Sequence, residues 1–328
     1  MARDETVALS QVESAAGVEP KTTLRDVLRR MSTPLLFVGP AVILTVLFFF
    51  VPVVILFRHS LTDMSSATGL RNYEFIGLEN YRTILEHPNT AINLKATVRY
   101  VAVTLSFFNL GLALVLALLS THVPRRAGFI YRSLWLLPRL TPSVIYIMMW
   151  KYIGADAPYG ILNQHILVPL GIEPSNLITT KPFLFVVLTN GFIGASFGMI
   201  LFTSAIESIP KDYMNAALVD GCTIWQRIRY IILPMIRWPL LFVVSYQTLS
   251  LLTSFEQIFL LTDGAGGTEV WALWAFHRAL DNYWGNFQWG FGAALAMVLV
   301  AVGIVMSVIY MRFFRFDELI QEPRIEVL

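Results

Sequence analysis

The chain has 328 residues, 56% of them hydrophobic and only 14% charged, against about 25% charged in ordinary soluble domains. Its formal charge of +2 offers no basic surface for nucleic acid, and a single cysteine, Cys222, excludes an internal disulfide framework. A membrane protein is the class left to read for.

The first 33 residues are polar and mixed in charge. They predict a cytoplasmic tail, 1–33, without a cleavable signal, so the first apolar run is expected to remain as an anchor. Six runs reach the length of about 20 apolar residues that a transmembrane helix needs: 34–57, 100–121, 134–153, 183–203, 238–261 and 290–311. In lipid every backbone group is paired internally, so the expected class is an all-α membrane protein with six transmembrane helices over 34–311.

Lys and Arg set the orientation. With the N-terminus inside, the inner segments hold 15 of them and the outer segments seven; Arg139 and Lys151, within the third run, complete the 24. N-in and C-in is therefore expected, with 312–328 as a cytoplasmic tail, 204–237 as a cytoplasmic loop, and 58–99 and 262–289 facing outward. Trp150, Trp284 and Trp289 then sit at the outer interface and Trp238 at the inner one.

The loop 204–237 has its own grammar. Pro210 suits the first turn of a helix. A helix over 211–220 follows, with Tyr213, Ala216 and Ala217 on one low face. Gly221 fits the position after a helix where a positive φ is needed. Thr223 and Gln226 predict a capping box for a second helix, whose Ile224, Ile228, Ile231 and Ile232 recur at helical spacing. Pro234 marks a bend into the fifth run. A helical hairpin on lipid headgroups, with Arg227 and Arg229 toward anionic lipid, satisfies this grammar as well as a docking element does.

Catalytic patterns are missing. No Gly-Lys pair occurs, hence no phosphate-cradling Walker loop, and there is no paired-cysteine or H-E-x-x-H metal motif. A chain of this kind is expected to be no enzyme, to bind no metal and no cofactor, and to borrow energy from elsewhere.

Ala216, Ala217, Gly221, Ile231, Leu233 and Pro234 fit the spacing E-A-A-x3-G-x9-I-x-L-P. That pattern resembles the cytoplasmic loop of the permease subunits of bacterial ABC importers. The likeness extends through "IGLENYRTIL" (76–85), "RSLWLLPRLTPSVIYIMMWKYI" (132–153), "YGILN" (159–163), "SIPKDYMNAALVDG" (208–221), "LTDGAGGTEVWALWAFHRAL" (261–280) and "FGAALAM" (291–297). Together these are similar to the carbohydrate-uptake branch, the maltose and glycerol-phosphate type. The resemblance implies a multi-pass permease of the bacterial inner membrane and a coupling helix that docks on a cytoplasmic ATPase. It implies as partners a second similar permease, two ATPase subunits that bind ATP and Mg, and a periplasmic or lipid-anchored solute-binding protein. The coupling residues carried over are Asn215, Ala216, Ala217, Asp220, Gly221, Ile231, Leu233 and Pro234. Asn215 departs from the family's usual Glu, which removes a carboxylate from the docking face.

Polar residues within the runs are candidates for a solute path. The fourth run offers Asn190 and Ser196 among Gly191, Gly194 and Gly198; close helix packing is the favoured reading of the glycines. In the fifth run Gln247, Ser250, Ser254 and Gln257 fall on one face. Tyr146, Trp150 and Phe255 are candidates for an aromatic platform, against a competing reading as core or interface belt. Glu256 reads as exposed to outer water. Arg139 and Lys151 admit an anionic solute, although snorkelling to headgroups accounts for both. The same machinery for a polyamine or phosphate, and an ion-coupled transporter acting alone, are the alternatives; the latter more often carries midplane carboxylates.

Overall fold

The computed structural model describes residues 36–281 and 285–313. The tail 1–33, Trp284 and the C-terminal residues from 314 lie outside them. The chain divides into two compact units, 1–56 and 57–328. The first contributes most of helix α1, Leu36–Ser60, whose Phe48, Phe49 and Phe50 are exposed as suits a lipid-facing surface.

In the second unit, α2 is Glu79–Glu86 and α3 is Pro88–His122. The latter runs 35 residues and begins twelve before the expected 100, so Lys95 and Arg99 ride on a helix rather than in an outer loop. His87 caps it, accepting from the Asn89 N–H, and Pro88 costs nothing in its first turn. Its middle, Thr104–Leu112, is π-helical. The third run is not one helix. It forms α4, Arg125–Leu140, and α5, Ser143–Gly154. Thr141 precedes Pro142 and is extended, ψ 139°, because the proline ring disfavours the helical region for the residue before it. After the short α6, Leu177–Thr180, comes α7, Pro182–Glu207, the most buried of the long apolar helices.

The loop residues form α8, Lys211–Val219, and α9, Ile224–Met235. A 70° bend at Ile236 leads to α10, Arg237–Thr253. Pro239 explains the bend: it cannot donate to the Met235 carbonyl, and its ring clashes there. The fifth run also stops short. The chain turns at Ser254 and Phe255 and resumes as α11, Glu256–Thr262. Residues 262–289, expected to be loop, contain α12, Trp271–Ala279, whose Trp271 and Trp274 are buried against α13, Trp289–Phe313.

Among the described residues the unit is all-helical apart from one isolated bridge, Thr62 to Phe75. Four helices are long and apolar enough to cross a membrane, α1, α3, α7 and α13; a fifth crossing is added if bent α9–α10 counts as one. Two cores stack along α7. One gathers Tyr100, Ile147, Phe185, Leu251 and Ile258; the other Ala113, Met199, Phe202, Ile232 and Val243.

Candidate functional site

Between these cores lies a cavity of about 330 Å³. Six of the eight residues expected on a solute path line it: Tyr146, Asn190, Gln247, Ser250, Ser254 and Gln257. They arrive from α5, α7, α10 and α11. The continuous helical stripe expected over 247–257 is interrupted at Ser254, yet its four side chains still converge, because the turn swings Gln257 toward α5. The Ser254 hydroxyl donates to Gln257 Oε1 (2.8 Å), and Gln257 Nε2 donates to the Tyr146 hydroxyl (3.3 Å). Asn190 Nδ2 donates to Ser254 Oγ (3.3 Å) and to the Tyr100 hydroxyl. Gln247, 5% exposed, donates to the Gly194 carbonyl (3.1 Å). The wall is thus a bonded set of amides and hydroxyls, fixed in orientation with donor and acceptor capacity to spare.

Ser196 and Trp150 are not brought in. Ser196 is buried and its hydroxyl donates back to the Ile193 carbonyl, 2.6 Å. Trp150 packs edge-on to Phe185 and Phe192. Phe255 stacks on Phe276 at 4.8 Å, a core contact. The glycines of α7 serve close packing: a Cβ on Gly194 would stand 2.4 Å from Asn109 Oδ1 of α3. Arg139, exposed in the last turn of α4, lines the cavity. Thr141, Ser143 and Tyr246 in the lining, and Tyr100 bonded to it, are polar residues that sequence reasoning missed. Tyr100 opens an apolar run like any interfacial tyrosine, and its partners Asn190 and Ser254 are 90 and 154 positions away.

The helix–turn–helix is built as its residues dictate. Gly221 has φ 72°; its N–H donates to the Leu218 carbonyl (3.1 Å), and the Cys222 N–H donates to the Ala217 carbonyl (2.9 Å). These two bonds close α8 in a Schellman motif. Thr223 and Gln226 form the capping box of α9, with the Thr223 N–H donating to Gln226 Oε1 (2.7 Å) and the Gln226 N–H to Thr223 Oγ1 (3.3 Å). Asn215, Ala216 and Asp220 are exposed, whereas Ala217 is buried. Ile231 and Leu233 are half-buried, beside the buried Ile232, and Pro234 is exposed. Tyr213, Val219, Trp225 and Tyr230 present an exposed apolar surface around them.

A second polar constellation sits at the far end of α3. His277 of α12 bonds Glu269 Oε1 through Nδ1 (3.0 Å) and Asp263 Oδ1 through Nε2 (2.9 Å), and Asn93 Nδ2 donates to Glu269 Oε2 (2.9 Å). Burial alone would raise Glu269, but bonds from His277 and Asn93 and the charge of Arg278 hold its carboxyl below the ordinary value. The Glu269 bond raises His277 against the opposing effect of burial, with Asp263 adding to the rise. Asp263, His277 and Asp281 bring potential metal ligands within 4.8 Å of one another. Both ring nitrogens of His277 are already bonded to carboxylates, so the arrangement fits an ion-pair clamp, not a metal centre.

Residues 109–316 match the family model described as "Binding-protein-dependent transport system inner membrane component". Over 285 residues the chain is 27% identical to a trehalose/maltose transport system permease protein of Thermococcus litoralis, covering 86% of this chain and 93% of the relative. It is 28% identical over 282 residues to an sn-glycerol-3-phosphate transport system permease protein of Agrobacterium fabrum, covering 85% and 94%. Its fold is similar to a chain of a bacterial alginate ABC transporter solved with an alginate pentasaccharide-bound periplasmic protein: TM-score 0.76, 20% identity, 89% of this chain and 97% of that one.

Proposed function

Because the chain belongs to the family of binding-protein-dependent transport system inner membrane components, we propose that it forms the translocation path of an ATP-driven importer for a carbohydrate or a sugar or polyol conjugate. It is a multi-pass protein of the cytoplasmic membrane. The observation that carries the reading is the extent of the family match, 109–316, which takes in both the helix–turn–helix and the cavity. The solute class follows the relatives named for trehalose, maltose and glycerol phosphate. A wall of fixed amides and hydroxyls suits a polyhydroxylated cargo.

Six crossings with both termini inside remain our reading of the permease domain, 34–311, between tails 1–33 and 312–328. The broken pairs α4–α5 and α10–α11 supply the third and fifth. Non-helical backbone at membrane depth is tolerated where it lines a cavity, and both breaks, at Thr141 and at Ser254, line this one. In this topology α8 and α9 face the cytoplasm. The face around Asn215, Ala216, Asp220 and Gly221 meets an ATPase cleft, Ala217 supports it from below, and Ile231, Leu233 and Pro234 join it to α10. The chain itself is non-catalytic; ATP and Mg belong to two ATPase subunits, and a second permease completes the path. A solute-binding protein delivers cargo from outside, and the spans alternate between inward-open and outward-open as the ATPases close and reset. Reconstitution with these partners in liposomes gives solute uptake that requires ATP and the binding protein. Uptake by this chain alone, without ATP, overturns the reading.

A further inference from the structure

Arg139 stands near the C-terminal end of α4 with its side chain on the cavity. Its guanidinium lies 5.5 Å over the ring of Phe197. Phe197 is ten residues from Glu207 and fifteen from Pro182 on α7, so it lies about 15 Å and 22 Å from the two ends of that helix at about 1.5 Å per residue. Arg139 thus stands beside the middle third of a membrane-crossing helix. A charge at such depth is costly unless it meets water in a cavity or a partner charge. Among the described residues no carboxylate stands within ion-pair distance of Arg139. Glu256, on the adjoining α11, accepts a hydrogen bond from the Ser143 hydroxyl instead. The other polar groups on the wall are neutral hydroxyls and amides.

The site therefore combines polyhydroxyl recognition with one cation. A guanidinium is a planar fork that matches carboxylate or phosphate oxygens in pairs and stays charged at any working pH. We propose that Arg139 selects for cargo bearing an anionic group, a carboxylate or a phosphate ester, beside its hydroxyls. This rests on the cavity being the solute path.

The test titrates the intact detergent-purified transporter, without its binding protein, with matched probes: glucose against glucuronate, and glycerol against sn-glycerol 3-phosphate. Intrinsic fluorescence reports binding. At least one anionic member binds about tenfold tighter than its neutral counterpart, the scale of one paired charge-assisted contact. Arg139→Gln abolishes that preference, and Arg139→Lys keeps part of it. Which pair shows the preference tells carboxylate from phosphate. The assignment is overturned if no anionic member binds more tightly than its counterpart, absence of binding included, or if the preference survives Arg139→Gln. Ser250→Trp narrows the same cavity without touching its charge. If it cuts ATP-dependent uptake in liposomes while Arg139→Gln alters no preference, the charge assignment alone fails. If Ser250→Trp is silent too, the path reading fails with it.

Discussion

Gly194 shows how little room a single position has. Its carbonyl holds Gln247 of the cavity wall, and on its other side the Asn109 amide is buried with neither polar atom bonded. A methyl group at 194 would overlap Asn109 Oδ1, so the buried Asn109 side chain or one of the two helices must shift. Gly194→Ala is expected to lower stability by about 1–3 kcal/mol, the usual cost of overpacking, and to weaken the cavity with it; thermal denaturation of the purified transporter checks this. Asn215 is the opposite case, exposed and free of steric demands. Asn215→Glu is expected to leave the melting temperature unchanged but to cut binding-protein-stimulated ATP hydrolysis about tenfold, since an unpaired carboxylate at a docked face costs about 1–3 kcal/mol. An unchanged or faster rate would show that the ATPase cleft still has a donor waiting for the carboxylate.

At the scale of the element, what the sequence makes legible is what neighbours in the chain decide. The capping box at Thr223 and the glycine stop at 221 need only residues a few positions apart, and both stand as read. Thr223→Ala is expected to cost about 1 kcal/mol, the usual loss of a cap. Hydrogen exchange at the Gln226 amide, whose bond to Thr223 Oγ1 disappears, should accelerate while α8 stays protected. The breaks in the third and fifth runs were harder to see. Pro142 lies in plain view, but the surrounding apolar residues satisfy a hydropathy window whether or not the helix continues. At Ser254 no proline marks the stop. The turn is fixed there by packing: Phe255 stacks on Phe276, and Ser254 bonds Gln257. The helix Trp271–Ala279 was hidden for a related reason. It is too short for a span, and its reason to fold is the surface of α13, which only the tertiary structure supplies.

Across the whole molecule, the polar candidates were legible as a set because a hydroxyl or amide inside an apolar run is conspicuous. Their convergence depends on pairings such as Asn190 with Ser254 that no local pattern encodes. The same holds for the clamp at the far end of α3, where His277, Glu269, Asp263 and Asn93 tie α12 and the loop before it to α3. Its pH dependence follows from the two shifts. His277 is raised, so its stabilisation is complete below its ordinary value of 6.5 and is lost as pH rises through the higher folded value. Glu269 is lowered, so its stabilisation is complete above its ordinary value of 4.5 and is lost as pH falls through the lower folded value. The clamp is therefore strongest between pH 4.5 and 6.5. His87 works against it on the acid side, because burial and then Arg278 lower its affinity for a proton. Comparison with His277→Gln separates the two, since that change leaves His87 in place. Raising the pH from 6 to 9 is expected to lower the melting temperature of the wild-type transporter by roughly 2 °C more than that of His277→Gln, the shift that about 1 kcal/mol produces in a large domain. Parallel melting curves for the two proteins across that range would show that His277 holds α12 in place by shape alone and that its charge contributes nothing.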